Sequence, residues 1–405
     1  MADHPDSKTW RAGPASEILD GLPGRPSGHT PSGIDPESAG SVERYLRSRT
    51  FPSAKDGHFS FAYIDHGGAI EQVRLRHGLA GHRQSPEFFR CAGGVYLLDF
   101  HAPAVNRLEY QLALIQADGS EQNISDPMNT LSVRDPFSEK SVVLTADYRE
   151  PWYVAEQVPE LAGTLQELTL AGPKRGKWKS WIWHPPEARP DEILPVILFL
   201  DGGDYLRFAG AGTVLANLVS RDAIKRCRAV FVSPSQRNDE YSCNRDVARH
   251  LMGTLPRCLA KHIPIPADSA QRIAVGASLG GLCLLHAHLT GSTANQSFFG
   301  GLLLQSSSYF QPTTDSMEVH FGHFDRITAF VSRVLNESFN VPRIPLYMTC
   351  GRGEENLTNN RVMAAALQAQ GFPLKFVEHP DAHNWTSWRD CLGDGLSALL
   401  HKEMH

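Results

Sequence analysis

Between Pro195 and His379 the chain repeats one alternation, in which short and almost wholly apolar runs are separated by longer mixed stretches. The runs are "PVILFL" (195–200), "AVFVSP" (229–234), "RIAVG" (272–276), "GLLLQS" (301–306), "PLYMTC" (345–350) and "LKFVEH" (374–379). A strand with one wet face alternates apolar and polar residues. A run that is apolar at nearly every position is instead buried on both faces, as in a parallel sheet covered by helices. Parallel strands need crossovers, and helical stretches near 243–261, 279–289, 319–337, 359–370 and 386–402 supply them. Residues 151–405 are therefore expected to form an α/β domain of the α/β-hydrolase kind, with "GTLQELTL" and "WKSWIWHP" as a leading strand pair.

The earlier chain has a different period. Over about 56–145, runs rich in aromatic and β-branched residues ("FSFAYI", "VYLLDF", "LEYQLALI", "SVVLT") are divided by Gly, Asn, Asp and Pro turns. That spacing predicts a small antiparallel β-sandwich over 51–150. Residues 1–50, with "GLPGRPSGHTPSGIDPESAG", hold no sustained apolar period and read as a flexible leader with one short helix near Val42–Arg47. A net charge of -5, with no basic run, argues against nucleic acid and anionic membrane surfaces as partners. There is no run of about 18 apolar residues. The start "MADHPDSKTW" lacks a basic-then-apolar signal, so a cytoplasmic protein is expected. Seven cysteines without a C-x-x-C pair suit reduced structural thiols better than a disulfide framework or a zinc site.

The candidate chemistry lies at "RIAVGASLGGL", where Gly276-Ala277-Ser278-Leu279-Gly280 fits G-x-S-x-G. In a glycine-rich chain the letters alone decide little. Here, however, a buried strand precedes Ser278 and a helix follows it, the strand-to-helix elbow that lifts a serine hydroxyl above a sheet. Such a hydroxyl needs a histidine to take its proton. In the order nucleophile, acid, histidine, that residue lies beyond the last strand, where "VEHPDAHNWTSWR" offers His383 in a loop and His379 at the strand end, the latter better suited to packing. The acid is expected after the preceding strand, where "YMTCGRGEEN" supplies Glu354, with Glu355 and Asp381 as rivals and a dyad as a further alternative. The oxyanion donors are expected to be the Leu279 N–H, at the positive end of its helix, and the N–H of Gly202 or Gly203 in "FLDGGDY". His286 and His288, two apart on a helix, do not share a face, and no metal or other protein-bound cofactor is expected.

Several separated motifs together resemble the enterochelin (enterobactin) esterase family. They are "LFLDGGDY", "RNDEYSCNRD" as R-x-x-E-x-x-C-N, "GASLGGL", "QSSSYF", "GRGEEN" and "HNWTSWR", while "LEYQL", "DPMNT" and "PFSEKSVV" resemble the immunoglobulin-like domain that precedes these hydrolases. The resemblance implies hydrolysis of the ester bonds of a catecholate siderophore trilactone, usually as its ferric complex, with iron arriving on the substrate. A polyanionic aromatic ligand would be met by Arg237, Tyr241, Tyr309, Trp385, Trp388 and Arg389, all in segments expected near the carboxyl ends of the strands. Two other readings stay open. One is a feruloyl or acetyl esterase acting on polysaccharide, with the sandwich resembling a carbohydrate-binding module. The other is a non-catalytic binder built on a hydrolase scaffold.

Overall fold

The computed structural model describes residues 27–29, 34–79, 85–102, 104–155 and 162–400, and these build three β-sheets. The largest has eight strands, in the order Thr164–Ala171, Lys177–His184, Arg228–Ser233, Val196–Leu200, Arg272–Ala277, Gly301–Gln305, Leu346–Gly351 and Leu374–His379. Pairings made by the first two strands are antiparallel and the rest are parallel. All six apolar runs are strands of this sheet. Successive residues along them enter opposite cores: Leu198, Leu200, Val230 and Ala274 on one face, Ile197, Phe199, Phe231 and Val275 on the other. That two-sided burial is why these strands show no apolar–polar alternation. Of these six strands the least buried is Leu374–His379, at one edge of the sheet, while the antiparallel strand Thr164–Ala171 at the other edge is largely exposed.

Helices Leu279–Gly291, Phe324–Asn336 and Leu357–Ala369 cover the first face, and Ala211–Ser220 and Leu392–Leu399 cover the second. This is an α/β-hydrolase-like fold. Helices Gly202–Arg207 and Ala211–Ser220 add to those expected, and the long helix expected over 243–261 is interrupted by a π segment, His250–Thr254. Pro256 follows that segment; its ring has no N–H to give to the preceding turn, and the widened turn accommodates the lost bond. The final helix also divides, into Trp385–Asp390 and Leu392–Leu399.

Two five-stranded sheets, with antiparallel pairing throughout, precede this body. They share one apolar core: Phe59, Phe61, Leu98 and Phe100 from one sheet meet Val73, Leu75, Tyr110 and Leu112 from the other. These residues stand two apart along each strand, as a half-buried strand requires. The leader needs correction, because from residue 34 the chain is part of the fold. Helix Ala39–Arg47 buries Val42 and Tyr45 against Phe51, Ala62 and Leu97, and the short strand Ser27–His29 pairs with Val95–His101. Two apolar residues three apart on one helix face sufficed, a signal too brief to read as periodicity. The rest of the expected leader lies outside the described residues. No helix among the described residues is long and apolar enough to cross a membrane.

Candidate active site

Ser278 ends the strand Arg272–Ala277 and caps the helix Leu279–Gly291 with φ 55° and ψ −124°, a conformation that a residue bearing Cβ adopts only under strain. Neighbouring glycines permit the turn. A Cβ on Gly276 would lie 2.6 Å from the Gly280 carbonyl carbon, and one on Gly281 would collide with Ser307 Oγ. The backbone is pinned by Ser278 N–H donating to Gln305 O (2.9 Å) and Ser308 N–H donating to Ser278 O (3.2 Å). The Ser278 hydroxyl itself lies 3.1 Å from Ser308 Oγ.

His383 follows the last strand, and its Nδ1 lies 2.8 Å from Glu354 Oε2. The other carboxylate oxygen accepts from Ser306 Oγ (2.6 Å) and from the Gly351 N–H (2.8 Å). Ser306 in turn accepts from Trp388 Nε1 (3.0 Å), and the Trp388 ring meets the imidazole edge to face at 4.9 Å. Burial pushes the Glu354 carboxyl upward, but His383, Ser306 and the Gly351 N–H outweigh it and hold the group below the usual carboxylate range. An ionised Glu354 can only accept, so Nδ1 carries the proton and Nε2 keeps its lone pair. The rival acids stand elsewhere. Glu355 is exposed, and Asp381 faces Arg107 and Asn384, with its carboxyl pushed up to about 7 by burial against the opposing pull of Arg107. His379 packs, its Nε2 lying 2.5 Å from Ser387 Oγ.

The candidate oxyanion donors divide. Gly203 N–H is taken up by Ser233 Oγ (3.0 Å), a correction to its expected availability. Leu279 and Gly202 are the first residues of their helices, where a backbone N–H has no acceptor within the helix. Gly202 is obligatory here, since a Cβ would run into the Phe231 and Val232 backbone. Asp201 precedes it in left-handed conformation, φ 54°. Its carboxylate is clamped by Arg237 Nη2 (2.7 Å) and Nε (2.8 Å), and its N–H is received by the Tyr241 hydroxyl (3.2 Å).

Several side chains expected at a ligand therefore serve the scaffold. Tyr241 and Tyr309 are wholly buried and cannot contact a ligand. Trp385 is buried and meets Tyr205 and Trp388 edge to face, while Trp388 supports Ser306 and His383. Arg389 pairs with Asp390 (2.8 Å) and Glu150 (3.0 Å). Arg237, although bound to Asp201, keeps 38% of its side-chain surface exposed. These side chains follow short motifs that set the turns around the site, and sequence spacing does not distinguish supporting a loop from touching a ligand. Conversely, Ser306 and Ser308 lie in "QSSSYF", but nothing in the letters gives them a role, nor does any signal point to the amino-terminal residues beside His383. A cavity of about 230 Å³ there is lined by Arg76, Leu108, Gln111, Lys140, His383 and Asn384 among others. A second cavity, about 520 Å³, opens near Arg272, at the opposite end of the elbow strand from Ser278.

Residues 176–399, more than half of the chain and including Ser278, Glu354 and His383, match the Esterase family model. The chain belongs to the Esterase family. An acetyl esterase of Caldicellulosiruptor saccharolyticus is 24% identical over 153 residues, 33% of this chain and 56% of that protein. The chain thus spans about half the length of the curated relative it matches. Across most of its length this chain shares the fold of the enterobactin esterase of Shigella flexneri, solved in the presence of enterobactin (20% identity, 88% of this chain and 97% of that one, TM-score 0.67). The ferric enterobactin esterase of Salmonella typhimurium is equally similar (21% identity, 88% and 98%, TM-score 0.68). The resemblance read from the motifs is borne out as one of fold.

Proposed function

We propose that this esterase cleaves its substrate by covalent catalysis, with Ser278 as nucleophile, His383 as general base and then acid, and Glu354 as the carboxylate that orients the imidazole. The observation that carries this is the buried Glu354 carboxylate 2.8 Å from His383 Nδ1, in a chain whose Ser278 sits strained at a strand-to-helix elbow. The hydroxyl leaves Ser308 Oγ, gives its proton to His383 Nε2 and attacks the ester carbonyl. The tetrahedral oxyanion is met by the N–H groups of Leu279 and Gly202, each such donor being worth roughly 2.7–4 kcal/mol in the transition state. The imidazolium returns its proton to the departing alkoxide, and water, activated by the same nitrogen, then releases the acyl group from Ser278.

For the substrate, the reading we favour is a catecholate siderophore trilactone, with or without iron, opened at its ester bonds. Supporting it are the likeness to enterobactin esterases over nearly the whole chain and the mixed, partly basic cavity at His383. On this reading the amino-terminal sheets form an immunoglobulin-like domain over about 51–150 ahead of the hydrolase, and the work is done in the cytoplasm. A mass-spectrometric hydrolysis panel of ferric enterobactin, iron-free enterobactin and 4-nitrophenyl acetate, run with the parent and Ser278→Ala, tests both levels. Ring-opened linear products of the trilactone that vanish in the variant are expected. Turnover of the aryl acetate alone would move the substrate to small acyl esters, and normal turnover by Ser278→Ala would overturn the nucleophile.

A further inference from the structure

We infer that Arg107, on a strand of the amino-terminal sheets, is a positioning residue for His383: its guanidinium fastens the loop 380–384 and so fixes where the imidazole stands. The inference rests on His383 being the base. Arg107 begins the strand Arg107–Gln116 and is 4% exposed. Its Nη1 donates to Asn384 Oδ1 (3.2 Å), its Nη2 to Glu109 Oε1 (2.8 Å), and Nη1 stands 3.8 Å from Asp381 Oδ2. Asn384, the residue after His383, also accepts from the Ser387 N–H (2.8 Å) and donates to Asp381 Oδ1 (2.9 Å). Asp381 accepts from the N–H of Ala382, the residue before His383 (2.7 Å). The residues flanking the imidazole are thus held through one buried cation.

Two further ties make the amino-terminal sheets the seat of this loop. Asn106 N–H donates to Pro380 O (2.8 Å), and Ala382 packs into the core that the two sheets share. Glu354 holds the ring from the hydrolase sheet, while Arg107 holds its backbone from the other side, so His383 is placed by two bodies distant in sequence. Energetics point the same way. Arg107, Glu109 and Asp381 are all removed from water, with Lys140 Nζ 3.8 Å from Glu109. Buried ion clusters of this kind add little net stability over apolar packing of the same volume, whereas their fixed geometry specifies one arrangement. A guanidinium can serve two acceptors from one plane; an ammonium cannot reproduce that fork.

The test uses the full-length protein with Arg107→Lys, Arg107→Ala and His383→Ala, assayed on 4-nitrophenyl acetate. For Arg107→Lys, a drop in kcat of about 10- to 100-fold with KM within about threefold is expected, because a displaced base slows chemistry without weakening binding. For Arg107→Ala, millimolar guanidinium, well below denaturing levels, should restore kcat at least about tenfold with the melting temperature unchanged, which a merely structural role would not show. Should Arg107→Ala fail to fold, Arg107→Lys decides alone. Wild-type kcat in a folded Arg107→Lys, or a loss confined to KM, overturns the inference. If His383→Ala is inactive while the Arg107 variants are normal, only the positioning role falls; an active His383→Ala removes the base assignment itself.

Discussion

Replacing Glu354 by Gln changes one atom, and its consequence follows from the hydrogen bonds around the carboxylate. Oε1 receives two donors, the Gly351 N–H at 2.8 Å and the Ser306 hydroxyl at 2.6 Å, while Oε2 faces His383 Nδ1 at 2.8 Å. A backbone N–H cannot become an acceptor, so the amide oxygen must occupy the Oε1 place and the NH2 must turn towards the histidine. Nδ1 then has to accept, which moves the ring proton to Nε2, where it blocks uptake of the serine proton. The charge that steadies the imidazolium is lost as well. The same exchange of acid for amide in a serine-protease triad lowers kcat by about 10⁴, which is about 5 kcal/mol of barrier, and a similar loss is expected here. KM should change little, because the carboxylate is buried behind the imidazole. Steady-state hydrolysis of 4-nitrophenyl acetate, with circular dichroism to verify folding, measures it. A folded Glu354→Gln enzyme that loses less than about tenfold in kcat would refute the orienting role, since a wrong tautomer cannot be that mild.

Gly276→Ala sets a Cβ 2.6 Å from the Gly280 carbonyl carbon and 2.7 Å from its oxygen, so strand and helix must part. Overpacking of this kind costs about 1–3 kcal/mol, and a urea midpoint unchanged from the parent would contradict it. Burial pushes His250, His286 and His288 down to about 4. A folded-state value below the unfolded 6.5 means that the unfolded chain binds more protons between the two. The associated stability is therefore complete above about pH 6.5 and lost towards pH 4, with about 2 kcal/mol per histidine gone by pH 5. Asp381, raised to about 7 by burial despite Arg107, acts in the opposite sense, because its stability contribution falls as pH rises from 3.8 towards 7. His286→Gln isolates one contribution: between pH 7 and pH 5 the variant should lose less stability than the parent, and equal losses in urea titrations would exclude the effect.

The sequence by itself determined the six apolar strands and the elbow at Ser278, because each depends on local backbone preference or on burial repeated along one segment, and the chain order of the hydrolase fold then pointed to Glu354 and His383 as candidates. It also ranked Glu354 ahead of Glu355 and Asp381, though the letters "GRGEEN" could not show which carboxylate turns inward. Only the tertiary structure decided that Glu354 meets His383, that Tyr241 and Arg237 hold Asp201, and that the Gly203 N–H is engaged by Ser233. Only it brought Arg107 to Asn384, across 277 residues of chain. The physical reason is common to all of these. Where a side chain points and whom it meets depend on how two separately folded segments pack, and a long-range contact of that kind leaves no period or spacing in either segment alone.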